Sequence, residues 1–217
     1  GVDWPIRYAD LAPWYSYVEK WIGVSGQTEG LPQLPDGDFQ PPMEMNVVEK
    51  DLKAKVESKF SERRVTIGRA AHLTKPTAEQ MKIGRGQCQS RNLCMRGCAF
   101  GAYFSSNGVT LVAAAQSGNM TLQPDSVVTE ILFDKASNKA TGVRVLNAET
   151  KAVTEYYAKV LFICASALNS TWLMMHSKSD RFPTGFGNDS DELGRNVMDH
   201  HFLVGAQAED EEVINIL

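Results

Sequence analysis

Cys88, Cys94 and Cys98 stand at the spacing Cys-x5-Cys-x3-Cys, in a stretch that also holds Gly84, Gly86 and Gly97 and three arginines, Arg85, Arg91 and Arg96. Clustered thiolates are ligands for soft metals. Structural zinc takes four ligands, commonly with tight Cys-x2–4-Cys pairs; here the fourth is missing and no histidine is close in sequence. One disulfide would leave a thiol over. Three thiolates on a glycine-containing loop suit an iron–sulfur cluster short of one ligand, and neighbouring guanidinium groups suit its negative charge. On spacing alone the trio stays open between a cluster, a disulfide with a free thiol, and reduced structural cysteines, with a zinc staple as a further case. The fourth cysteine, Cys164, lies in the apolar run 160–165 and is expected to be a small core residue.

The elements that must hold this loop can be sketched from hydrophobic period. The chain has 217 residues, 43% of them hydrophobic, so it can bury a core and is not a disordered segment. Its formal charge of -4 argues against a global basic surface for nucleic acid, and no apolar run approaches the roughly 20 residues of a membrane helix. Leu11, Trp14, Tyr15, Val18 and Trp21 recur on one helical face, which predicts a packing helix over 10–22 with Asp10 as its N-cap, Pro13 in its first turn and Gly23 as its stop. Residues 25–42 are rich in Gly, Pro and Asp and form a long connection. Asn46 and Glu49 make a capping-box pair opening a surface helix over 46–60. A short strand is expected at 64–68, an irregular stretch at 70–83, and a third helix at 105–117 ending on Gly118-Asn119.

From Met120 the period switches to β. Runs at 121–123, 127–133, 140–146 and 153–163 are separated by the polar turns 134–139 and 147–151, and connections that short join antiparallel neighbours. A further helix is expected at 169–175, and 181–217 reads as loop-rich, with an acidic run at 209–212.

Five segments, in order, carry a resemblance to the glucose–methanol–choline (GMC) flavoprotein oxidoreductases. Residues 4–15, Trp-Pro-Ile-Arg-Tyr-Ala-Asp-Leu-Ala-Pro-Trp-Tyr, resemble the family's W-P-x-x-Y-x-D-L-x-P-Y-Y segment. The cysteine loop running into Phe100-Gly101-Ala102 is similar to that of the branch containing gluconate, fructose and glucose dehydrogenase flavoprotein subunits. Residues 120–133 with 141–145 resemble its V-T-x-I-L … A-T-G-V strands. Residues 166–177 are similar to G-A-I-x-S-P-x-L-L-x-x-S, and 193–200 to V-G-x-N-L-x-D-H. Ser166 replaces the signature's Gly and Thr171 its Pro, and Ser177-Lys178-Ser179-Asp180 stands in place of Ser-Gly-Ile-Gly.

The resemblance implies an α+β chain: part of an FAD-binding domain with an antiparallel β meander, plus a helical, loop-rich part of the substrate domain. The division is expected at 1–100, holding the cysteine loop, and 101–217. It implies an enzyme oxidising CH–OH groups of a sugar, sugar acid or polyol, in which a histidine takes the hydroxyl proton while hydride passes to the flavin. Val128 would hold the adenine through its backbone, Ala165 and Ser166 would lie near the pyrophosphate, and Cys88, Cys94 and Cys98 would bind a [3Fe–4S] cluster passing electrons to a cytochrome or small subunit. None of the 17 glycines falls into the flavin fingerprint G-x-G-x-x-G. Of the four histidines, His72, His176, His200 and His201, the last two belong to the D-H motif and none matches the catalytic base. The chain is therefore expected to be an internal stretch with no catalytic residue of its own, holding neither FAD nor cluster in isolation. The alternative is a non-catalytic docking module using 25–42 and 209–212 as its partner surface.

Overall fold

The computed structural model describes residues 3–199. Two compact units divide between Thr121 and Leu122. The helical stretch at 106–116 lies on the cysteine-loop side of that division, whereas the division expected at residue 100 would have grouped it with the sheet.

In the first unit, α1 spans Tyr8–Ile22 and α2 Val47–Lys59. Helix α1 begins earlier than expected because Arg7 is its N-cap and Asp10 sits at the third helical position. The Asp10 carboxylate accepts the Arg7 N–H at 2.9 Å, closing a capping box. Pro13 consequently lies inside the helix, beyond the first turn. Gly23 ends it in the left-handed region, φ 79°, where its N–H donates to the Glu19 carbonyl at 2.9 Å. The aromatic stripe does not pack as expected: no residue of α1 is buried, and Trp14 is 67% exposed, since nothing among the described residues covers that face. Helix α2 opens on the capping box seen in the sequence, with Asn46 Oδ1 accepting the Glu49 N–H at 2.9 Å and Glu49 accepting that of Asn46 at 2.7 Å.

The core of this unit gathers around Leu73, Ala102 and Val109, all fully buried. No strand forms at 64–68; the backbone there is irregular, and Ser25 bridges Gln40 and Ala70 instead. The stretch expected to be irregular holds a short helix, α3 (Ala78–Lys82), opened by Thr77 and Gln80 in a third capping box. The buried Gln80 amide ties it to the end of α1, its Nε2 donating to Lys20 O, while its Oε1 accepts from Gln40 Nε2 at 3.0 Å. The third helix starts as a π turn, Ser106–Thr110, with Ser105 Oγ accepting the Gly108 N–H, and continues as α4 (Leu111–Gln116).

The second unit is an antiparallel meander, β1 (Ser126–Asp134), β2 (Lys139–Asn147) and β3 (Val153–Tyr157), followed by α5 (Ser166–His176), which packs on β1. The two turns are the expected polar ones. Asp134 accepts the N–H groups of Ala136 and Ser137, and Asn147 accepts those of Glu149 and Thr150. Register slips at Thr129 and at Thr141, where each strand carries one residue more than its partner. Ser177 fastens α5 to the sheet: its Oγ accepts the Ile131 N–H at 2.8 Å and donates to Leu173 O at 2.7 Å. Phe133, Phe182 and Phe186 meet edge-to-face beside it, with ring centres 5.0–6.1 Å apart.

Residues 121–123 form no strand, and β3 stops at Tyr157 rather than reaching 163. Residues 160–165 therefore pair with no neighbouring strand among the described residues, Phe162 is 85% exposed, and Cys164 is exposed rather than in the core. Among the described residues no helix is long and apolar enough to cross a membrane. His200, His201 and the acidic run at 209–212 lie outside the described residues.

Candidate functional site: the cysteine cavity and the flavin-side residues

Non-local backbone pairing builds the cysteine site. The Leu73 N–H donates to Ala102 O at 3.1 Å, Cys88 N–H to Leu73 O at 2.8 Å, Phe104 N–H to Ala71 O at 2.9 Å and Gly86 N–H to Phe100 O at 2.7 Å. Both ends of the cysteine loop are thereby fixed against residues 71–73. Between them the chain makes a 3-10 turn at Cys94–Arg96. It bends through left-handed backbone at Ser90 (φ 50°) and Asn92 (φ 55°) as well as at Gly97. For a serine or asparagine this conformation is held only where the surroundings enforce it, and such residues gather at functional sites.

The result is a cavity of about 290 Å³ lined by all three cysteines of the trio together with Arg91, Arg96, Phe100, Tyr103 and His72. All four cysteines are free thiols, which sets aside the disulfide reading for the structure at hand. Burial pushes the Cys98 thiol up, but hydrogen bonding from the backbone N–H groups of Tyr103, Phe100, Ala102 and Gly101 outweighs it and holds the thiol below its usual range. The Cys88 sulfur accepts the Ser90 N–H at 3.5 Å. Of the three arginines near the trio in sequence, Arg91 and Arg96 face the cavity and Arg85 does not. Arg85 is buried, donating from Nε to Gly101 O at 2.9 Å and from Nη2 to Ala102 O at 3.3 Å. Burial lowers its pKa, partly offset by the charge of Cys98.

His72 belongs to the site and was not found from the sequence. Its Nε2 lies 3.4 Å from the Cys94 sulfur, and its ring stacks on Tyr103 with centres 4.9 Å apart. It stands 16 positions before Cys88 in a polar stretch without period, and only the bridge between His72 and Tyr103 brings it in.

Three thiols lining one cavity are a donor set for soft metals, and one of them has its thiolate stabilised. Yet among the described residues no three His, Cys, Asp or Glu side chains converge on one point as a lone zinc would require. In a cluster each thiolate meets a different iron, so the sulfurs need not converge.

The residues expected from the resemblance to hold flavin, Val128, Ala165 and Ser166, fall on two elements of the second unit that pack together. Val128 is half-buried on β1, paired with Val145, just before the bulge at Thr129. Ala165 is the N-cap of α5, its N–H donating to Ser170 Oγ at 3.2 Å. Ser166 has φ 66°, the left-handed backbone that explains why a glycine suits that place.

This fold and these segments define a class. The chain belongs to the GMC oxidoreductase family, whose model matches residues 4–202, and the matched region is the family's N-terminal, FAD-binding one. Among curated relatives, it is 30% identical over 202 residues to the fructose dehydrogenase large subunit of Gluconobacter japonicus, covering 92% of this chain and 36% of that protein. It is 27% identical to paromamine 6'-oxidase of Streptomyces fradiae, covering 90% and 34%, and 26% identical to 2-methyl-1,2-propanediol dehydrogenase of Mycolicibacterium austroafricanum, covering 93% and 35%. The chain spans about a third of the length of these relatives.

Proposed function

We propose that this chain is a segment of an FAD-dependent dehydrogenase that oxidises a CH–OH group of a sugar, sugar acid or polyol and hands the electrons to a partner subunit or cytochrome through an iron–sulfur cluster on Cys88, Cys94 and Cys98. The observation that carries this reading is the shared cavity of the three thiols. It is supported by the likeness to a protein named as the large subunit of fructose dehydrogenase. Flavin supplies a hydride acceptor and the cluster a one-electron carrier when bound.

The chain's own residues do the holding. The backbone of Val128 would hold the adenine, and Ala165 with Ser166 would lie along the pyrophosphate. The N–H groups around Cys98 lower its pKa and so favour the thiolate form that iron binding requires. Leu93 and Phe100 supply apolar surface to the cavity wall.

The whole enzyme carrying this chain, purified without air, should contain iron and acid-labile sulfide, and Cys94→Ser should abolish both. Iron content unchanged by that substitution would sink the cluster assignment. Zinc in place of iron would support a staple instead.

A further inference from the structure

We propose that His72 is a positioning residue for the cysteine centre, its Nε2–H donating to the Cys94 sulfur and raising the centre's reduction potential. The inference rests on the cluster reading above. Nε2 and the Cys94 sulfur are 3.4 Å apart, a normal N–H···S length. The ring is not free to turn away. It stacks on Tyr103 at an interplanar angle of 29°, and its backbone is fixed on both sides, by Ala71 O accepting the Phe104 N–H and by Leu73 pairing with Ala102 and Cys88.

The other ring nitrogen, Nδ1, is buried with no hydrogen-bond partner among the described residues. A proton there would be a buried donor without an acceptor. A proton on Nε2 meets a sulfur that accepts. The surroundings thus select the Nε2–H tautomer. They also disfavour direct ligation of a metal by Nε2. A ligating imidazole normally passes its other N–H to an acceptor that orients it, and none faces Nδ1.

Reduction adds negative charge to the centre and its sulfurs. A hydrogen bond to a sulfur therefore favours the reduced form, and hydrogen bonds to sulfur are among the groups that set cluster potentials.

Redox titration of the whole enzyme, with iron and sulfide determined alongside, tests this in two variants. His72→Phe keeps the stacking on Tyr103 and removes the donor. His72→Gln keeps an N–H donor. His72→Phe should lower the ratio of reduced to oxidised centre about tenfold at a given potential, about 59 mV for a one-electron couple, with iron content unchanged. His72→Gln should stay close to the parent value. Equal potentials in His72→Phe and the parent, with iron present in both, would overturn the role of His72 and leave the cluster assignment standing. A parent enzyme with neither iron nor sulfide overturns both.

The unsubstituted enzyme gives a second readout. Electron–nuclear double resonance should show a proton near the centre that exchanges in D2O, with only weak nitrogen coupling. Strong nitrogen coupling would mean ligation by the imidazole and would overturn the hydrogen-bond assignment.

Discussion

Replacing Gly23 by alanine should destabilise the first unit far more than a helix-stop glycine usually does. Two costs combine. Gly23 has φ 79°, and a residue with a Cβ in left-handed backbone costs about 1–2 kcal/mol. In addition, a Cβ built there falls 2.1 Å from Leu73 Cδ2 and 3.1 Å from Gln80 Nε2, where ordinary carbon contacts begin near 3.5 Å. Leu73 is fully buried and has no free volume to move into, so overpacking adds about 1–3 kcal/mol. The sum is about 2–5 kcal/mol. Gly118→Ala is the internal control: its φ is 71° and no atom lies within 4 Å of the added Cβ, so only the conformational cost of about 1–2 kcal/mol applies.

The assay is denaturant unfolding of the parent and both variants, followed by the double substitution Gly23→Ala with Leu73→Ala. Truncating Leu73 alone costs about 2–5 kcal/mol, and in the double variant the clash is gone, so the combined loss should fall short of the sum by at least about 1 kcal/mol. Equal losses for Gly23→Ala and Gly118→Ala, or simple additivity in the double variant, would refute the placement of Leu73 over Gly23. The consequence reaches the cysteine site, because the Leu73 carbonyl accepts the Cys88 N–H.

Further outcomes follow from the same kind of reasoning. Ser177→Ala leaves the buried Ile131 N–H without its acceptor and should cost about 1–3 kcal/mol in thermal unfolding; a neutral effect would mean that α5 is not fastened there. Ser166→Gly should stabilise by about 0.5–1 kcal/mol, the left-handed strain relieved being partly offset by glycine's greater freedom when unfolded, whereas destabilisation would contradict φ 66°. The Asp36 carboxyl is held below the usual aspartate range by the N–H groups of Glu29 and Gly30 and by Arg69, against a smaller opposing effect of burial. Its contribution is therefore complete above pH ~3.9 and is lost as pH falls through the lower folded value, so exchange protection at the Glu29 and Gly30 amides should persist at pH ~5 and vanish in stronger acid. Protection that survives full protonation would show that Asp36 does not organise the loop.

Much of the fold was legible because its signals are local. Asn46 with Glu49, Gly23 after an apolar stripe, and alternating runs between Asx-rich turns each act within a few residues. The segment Thr77-Ala78-Glu79-Gln80 carried the same kind of signal and marks α3, although the surrounding polarity hid it. What escaped depends on partners far along the chain. His72 reaches Cys94 only through the pairing of 71–73 with 102–104, which no period in either segment announces. The apolar run 160–165 has the composition of a buried strand, but burial needs a covering surface, and β3 has already ended at Tyr157. The extra residues at Thr129 and Thr141 likewise depend on how two strands fit each other, not on either strand's own pattern.

The buried Arg85 braces a loop with three strained or glycine turns around the Cys98 sulfur. Its Nε donates to Gly101 O, and the peptide group that begins with that carbonyl carries the Ala102 N–H. Its Nη2 donates to Ala102 O, whose peptide group carries the Tyr103 N–H. Both of those N–H groups act on the Cys98 sulfur. A cation on the carbonyl side of a peptide polarises its N–H side, so hydrogen bonds in such a chain strengthen one another. The guanidinium thus reaches Cys98 through two peptide units, while the sulfur's charge in turn favours the buried cation. An arginine buried without a carboxylate partner would be costly by itself. In this position the charge of an ionised Cys98 favours the guanidinium, and the guanidinium braces the two carbonyls whose peptide groups carry N–H donors to that sulfur, which couples Arg85 to Cys98.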